Sequence, residues 1–456
     1  MSAPMPQARQ GRVSFLRYLR LFRKDILSAQ PKHLYRAKMA EFRTPFFSSF
    51  LLNEPALIEE VLKERPDAFP KSDRVAAGLR PLLGRSVFLT NGADWARQRR
   101  IIDPAFASAT LTDRFSAILG AAEDAIVRAP TGEVDIEPMA SRMAADVIFR
   151  SLFSKPITDT IAQQTFCAFQ RYQRAQPMLT PLALWRLPGA GIWHRRKVRT
   201  AAAEIRRLIR CLVDERLSDI ASGTAPDDLA TALLTAQDPA GGRGFDRDEM
   251  VDQVAIFYLA GHETSAAALS WALYLMARHP GHQARVFQEA RAFAETPDFK
   301  ALRALVHTRN VFKETLRLYP SVPMMVREAK HPEVFRKRAV ARGAQLVISP
   351  WHMHRNERLW HDPHGFDPDR WTKETPQGAY LPFSSGPRTC PGAGLAMAEG
   401  VAHLALLVNA FEVEPVGADP VPVAHLTVRS RDGIKLRLIP RRDQASSDPA
   451  RTRLRT

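Results

Sequence analysis

Cysteine is scarce. The 456 residues hold three, Cys167, Cys211 and Cys390. They are odd in number and far apart, which excludes a disulfide framework and leaves no cluster for an iron–sulfur centre. A reducing, cytoplasmic setting is expected. Long apolar runs are also missing: none approaches the roughly 18 residues needed to span a bilayer. The nearest, Val254–Ala260 and Leu404–Phe411, are far too short. No apolar core with a cleavage site follows Met1, so no secretory signal is read. There is no internal repeat, and no linker poor in apolar residues divides the chain.

Acidic residues are the next shortage: 48 against 65 Lys and Arg, a net charge of +17. From Met1 to Lys24 there are six cations and no acid, and from Arg441 to Thr456 five Arg against two Asp. The two ends therefore hold nine of the 17 charges. Residues 1–29 read as a basic N-terminal segment, partly flexible, 30–440 as one domain, and 441–456 as a disordered basic tail. The densest basic stretch, Trp193 to Arg199, sits in no nucleic-acid-binding module, so a nucleic-acid partner is not expected. Val13–Leu27 mixes Leu, Phe and Arg; a packed first helix is favoured, and peripheral contact with a membrane stays open.

What the chain has is helical patterning. Asp246 to His279 runs without proline and is apolar on nearly all sides, as a buried central helix must be. Ala117–Val127, Glu137–Phe153, Arg199–Ala221 and Thr308–Leu318 also read as helices. Strand-like pieces are few: Phe47–Leu52, Val322–Arg327, Ala344–Ile348 and Ile434–Leu438. Pro and Asp make His361–Arg370 an irregular coil. The expected fold is mainly α with a small β region.

Chemistry concentrates at Cys390, in the run Phe383-Ser384-Ser385-Gly386-Pro387-Arg388-Thr389-Cys390-Pro391-Gly392. A lone thiol sits in a Gly- and Pro-rich turn with a cation two residues upstream and a helix directly after. Free N–H groups at a helix start favour a thiolate, and a thiolate pushes electron density onto haem iron. The run resembles the haem-ligand loop of the cytochrome P450 superfamily, Phe-x-x-Gly-x-Arg-x-Cys-x-Gly, with every fixed position filled.

That resemblance, covering about residues 30–440, implies a single P450-type domain with haem b buried between the long central helix and the Cys390 loop. Three further motifs match. Ala260-Gly261-His262-Glu263-Thr264 is similar to the family's oxygen-binding run; it implies that Thr264 positions a water and Glu263 supplies protons. Gly261 and the Thr264 hydroxyl are two devices that open a helix locally. His262 is left without a role. Glu314-Thr315-Leu316-Arg317 puts two charges on one helical face, and with Arg370 implies a buried network locking the coil beneath the haem. Trp95 and Arg99, one turn apart, imply contacts to a haem propionate, joined by Arg388 and Arg327. Arg97 and Arg100 are expected to face solvent, where an electron donor docks. Phe383, Ala260 and Gly261 complete the expected haem contacts. Phe88, Leu89, Phe257, Met324, Met325 and Val428 are expected to line the substrate pocket. His352, His354, His361 and His364 match no common zinc spacing.

The implied activity is insertion of one oxygen atom from O₂ into a lipophilic small molecule: a fatty acid, terpenoid or steroid-like compound. No flavin or iron–sulfur module is present, so electrons from NAD(P)H are expected from a separate ferredoxin and ferredoxin reductase. A monomer is expected. A peroxygenase, or a haem-thiolate sensor without turnover, would share the scaffold.

Overall fold

The computed structural model describes residues 2–11, 13–43, 48–175 and 192–441. Helices dominate, and the architecture is built around Arg247–Arg278. Asp246 caps this helix reciprocally: the Glu249 N–H donates to Asp246 Oδ1 at 2.9 Å, and the Asp246 N–H to Glu249 Oε2 at 3.1 Å. Pro280 follows the last residues and ends it. At 1.5 Å per residue it is roughly 48 Å long, enough to pass through two apolar cores. Its first half packs against Ile136–Phe153, Thr160–Ala175 and Ile192–Ser222. Its second half packs against Ser108–Val127, Val306–Leu318 and Ala393–Ala410.

Gly261 shows how closely the central helix is approached. A Cβ there would lie 2.4 Å from Ile148 Cδ1 on the Ile136–Phe153 helix. The helix is α-helical throughout Arg247–Arg278, so this glycine serves the close approach of a neighbour rather than a break in the backbone.

The β region is small. One four-stranded sheet runs in the order Met39–Arg43, Ser48–Leu52, Gln345–Ile348, Met325–Glu328, with only the middle pair parallel. A third apolar core lies on it, around Phe50, Leu346 and Trp360. Gly132–Asp135, Lys435–Pro440 and Phe411–Pro415 form a second sheet. Phe47, expected to begin a strand, lies outside the described residues, as do 442–456 of the expected tail.

The first helix, Phe15–Lys24, is capped by Ser14 and buries Leu19. Among the described residues, Ala393–Ala410 alone is long and apolar enough to cross a membrane. It is mostly buried among other helices, and it carries Glu399 and His403 inside.

Candidate functional site: a cationic cavity with a thiol in its wall

A cavity of about 2010 Å³ lies between the central helix and the Cys390 loop, extending to Tyr18 and Phe22 of the first helix. The loop is held by its own backbone. The Cys390 N–H donates to the Phe383 carbonyl at 3.0 Å and the Thr389 N–H to Gly386 at 3.0 Å. Gly386 has φ +72°, and a Cβ there would stand 2.0 Å from the Leu62 carbonyl oxygen. No other residue fits. Cys390 lines the cavity just ahead of helix Ala393–Ala410, whose cap is Gly392.

Cys390 is exposed by surface area, yet it lines an internal cavity and protein surrounds it on the scale that governs desolvation. Desolvation therefore pushes its thiol pKa up, partly offset by the Gly392 N–H and by the Arg99 cation. A metal ion bound there would supply the positive charge that releases the proton. Arg99 also ties the loop in place, donating to the Thr389 carbonyl at 2.7 Å while paired with Asp103 at 2.7 Å.

Among the cations that line the cavity, Lys71, Arg99, Arg327 and Arg388 form one cluster, the three guanidinium groups each acting on the Lys71 charge. Arg388 lies 4.2 Å over the Trp95 ring and donates to the Thr90 carbonyl and Asn91 Oδ1. Trp95 thus acts as a platform for the guanidinium. Arg327 is buried and donates to its neighbour's carbonyl, Val326, at 3.2 Å. Burial lowers Arg388 and Arg327 to about 10 each. Lys71 donates to the Val87 and Phe88 carbonyls. Its pKa is driven well down, first by burial and then by Arg388, Arg327 and Arg99. Buried cations facing one another are costly unless an anion joins them. Haem fits: its two propionates would meet this cation cluster, and Cys390 offers a thiolate, one of the side chains that hold haem iron. Lys71 was missed in the sequence because nothing around Pro70-Lys71-Ser72 distinguishes it.

On the opposite wall stands the Ala260–Thr264 run. Ala260 is exposed although it lies mid-helix, because it faces the cavity. The Thr264 hydroxyl donates to the Ala260 carbonyl at 2.6 Å, and Ser321 Oγ donates to the Thr264 carbonyl at 2.8 Å. Glu263 is buried, with Oε1 3.4 Å from Thr427 Oγ1 and 3.5 Å from Arg429 Nη2. Desolvation raises its pKa, offset by Arg429. His262 is packed between Tyr258 and Phe166 and bonded to Ser141 at 2.7 Å. Desolvation lowers it to about 3, so it stays neutral.

Behind the cavity, Glu314 and Arg317 are fully buried. Glu314 accepts from Arg317 Nε and Nη2, Arg370 Nε, Trp371 Nε1 and the Asp367 N–H. Arg317 also reaches the His354, Pro363 and Gly365 carbonyls, which clamps the coil at 361–370. His354 and His352 serve this region as hydrogen-bonding core residues, to Leu381 and to Ser349.

Phe383, Gly261, Phe88, Leu89, Phe257, Met324 and Met325 all line the cavity. Val428 does not. It is fully buried in the core, and its carbonyl accepts from Trp271 Nε1 at 3.0 Å. Leu426 and Thr427 reach the cavity instead. Arg97 does not face solvent either: it is largely covered, paired with Glu249 and bonded to the Arg243 and Gly244 carbonyls. Arg100 is held by both oxygens of Asp238 at 2.7 Å. Neither offers an unpaired charge to a donor.

Known proteins place this architecture. The cytochrome P450 family model matches residues 33–437. The cyclooctat-9-en-7-ol 5-monooxygenase of Streptomyces melanosporofaciens is 32% identical over 405 residues, covering 86% of this chain and 85% of that one. The pentalenene oxygenase of Streptomyces avermitilis is 31% identical, covering 86% and 88%. Human cytochrome P450 4A11 is 29% identical, covering 81% and 76%. The crystallised haem domain of cytochrome P450DA superposes with a TM-score of 0.81 at 23% identity, over 97% and 99% of the two chains, a likeness of fold. Match and fold extend over nearly the whole chain, which therefore belongs to the cytochrome P450 family of haem-binding monooxygenases.

Proposed function

We propose that this chain hydroxylates a lipophilic small molecule, a polycyclic terpenoid in the first instance, and that Cys390 would hold haem b by its sulfur. The relatives named for cyclooctat-9-en-7-ol and pentalenene support that substrate class. So does a cavity wall rich in Phe257, Leu89, Met324 and Met325. The observation that carries the reading is the meeting of one thiol, the Lys71, Arg99, Arg327 and Arg388 cluster and the Thr264 turn around a single cavity.

Bound haem supplies one-electron and O₂ chemistry, biased by its thiolate toward O–O cleavage. The chain does the rest. Lys71, Arg327, Arg388 and Arg99 would hold the propionates, and Arg388 on the Trp95 ring would close one edge of the site. The Thr264 hydroxyl, opposite Cys390, holds a water. Glu263 brings that water protons from the side where Arg429 meets solvent. The apolar wall excludes bulk water and leaves the substrate few polar contacts. Electrons arrive from a separate ferredoxin and its reductase, docking on the face over Cys390, and the enzyme works in the cytoplasm.

Reduced protein under carbon monoxide should absorb near ~450 nm, the mark of thiolate ligation. Cys390→Ala should abolish that band. With a ferredoxin and reductase supplied, NAD(P)H consumption should yield hydroxylated terpenoid. Persistence of the band in the variant, or its absence from the haem-replete wild type, would refute the assignment.

A further inference from the structure

The cavity continues past the thiol and the Thr264 turn to an end roofed by the first helix. Its wall there is Tyr18, Leu19 and Phe22 from that helix, with Phe42 and Leu51 from the four-stranded sheet. A backbone ladder fixes polar groups beside them. The Arg9 N–H donates to the Gln30 carbonyl at 3.2 Å, and the Lys32 N–H to the Arg9 carbonyl at 3.1 Å. Arg9, Gln30 and Lys32 all line the cavity. Two carbonyls orient the Arg9 guanidinium: Nε donates to Ala29 at 2.7 Å and Nη1 to Gly11. Gln30 is 7% exposed; its side chain meets the Tyr18 hydroxyl, on which the Arg9 charge also acts. Guanidinium, phenol and carboxamide thus stand together in one stretch of wall.

Carbonyls satisfy hydrogen bonds but bring no counter-charge. Among the described residues neither Arg9 nor Lys32 has an acidic partner. The acid in this part of the wall, Glu41, is taken by Arg43 at 2.6 Å and Arg338 at 3.3 Å. We propose that Arg9, with Tyr18 and Gln30, binds an anionic oxygen group of the substrate, a carboxylate or a phosphate. The substrate is then an amphiphile, with its acid at Arg9 and its apolar body running past Phe22 and Leu51 towards Thr264. This rests on the reading of the cavity as the substrate site and narrows it from any lipophile to an acidic one. Arginine suits the task because its planar fork offers paired donors to such a group. A fork already oriented by Ala29 and Gly11 gives up little freedom on binding.

Titration calorimetry of the holoprotein should compare a polycyclic terpenoid carboxylic acid, its methyl ester and the phosphate monoester of the matching alcohol. The acid or the phosphate should bind about 10–100-fold tighter than the ester, as for hydrogen bonds to a charged group, and the tighter of the two names the group. Added salt should weaken the anion and leave the ester unchanged. Arg9→Gln should remove most of that preference without moving the ester's affinity, and Tyr18→Phe a smaller part. If Arg9→Gln does not fold, Tyr18→Phe and Lys32→Gln carry the comparison, since both leave the Arg9 side chain in place. Equal affinity for all three ligands, or an equal loss for acid and ester in Arg9→Gln, overturns the proposal while the ~450 nm band survives. A wild type without that band refutes the haem-thiolate reading instead, and the calorimetric preference still reports on Arg9.

Discussion

Replacing Glu314 by alanine takes away the acceptor of five hydrogen bonds: two from Arg317, and one each from Arg370, Trp371 and the Asp367 backbone. Arg317 is left fully buried, still bonded to three carbonyls but without a counter-charge. Breaking a buried pair from one side costs about 3–5 kcal/mol, because the remaining charge is uncompensated. Total stabilities of about 5–15 kcal/mol make that a large fraction. The loss falls on the coil at 361–370, so haem retention should fall with stability. Urea denaturation followed by far-UV circular dichroism, with the haem-to-protein ratio after purification, reads both. Arg317→Lys should be nearly as damaging, because a point charge cannot serve five acceptor contacts. A Glu314→Ala protein within about 1 kcal/mol of wild type and fully loaded with haem would refute the reasoning, since it would place the cost below that of an ordinary neutral hydrogen bond.

Three other outcomes follow from the same geometry. Gly386→Ala must hold φ +72° and push a methyl against the Leu62 carbonyl; the backbone alone costs about 1–2 kcal/mol, and purified protein should carry less haem. Val428→Ala should lower stability by about 1.5–3 kcal/mol without altering ligand-difference spectra, whereas Leu426→Ala should alter those spectra and change thermal stability little. Thr264→Ala and Glu263→Gln should each slow product formation by about 10² or more. Burial raises the Glu263 pKa, so its proton is lost only as pH rises through that higher value. Product formation in wild type should fall across that limb, and Glu263→Gln should lack it.

Much of the site was legible because its signals are local. The Cys390 run, the Glu314-x-x-Arg317 spacing and the Thr264 back-bond each lie within a turn or a few residues, where sequence and geometry are tied by the helix period or the tightness of a loop. Lys71, Asn91, Glu399 and Arg429 carry no such pattern. They matter only because a distant partner arrives: Arg388 for Asn91, Ser265 for Glu399, Glu263 for Arg429. The error at Val428 has a definite cause. His425, Leu426 and Thr427 reach the cavity together from the bend between two short strands, and Val428 begins the strand that enters the core, so one position decides between cavity and core. Arg97 was misread because Glu249, its partner, lies 152 residues away.

By itself, the sequence determined the helical class, the long central helix with its Asp246 cap and Pro280 stop, and the kind of chemistry a lone thiol in a glycine-rich turn supports. These depend on backbone preferences and side-chain periods that act over a few residues. Only the tertiary structure decided which cations gather beside the cavity, that Gly261 admits Ile148, and that a buried acid links the Thr264 turn to the thiol's own helix. Those features arise from desolvation and packing between segments far apart in the chain, and neither quantity exists until the segments meet.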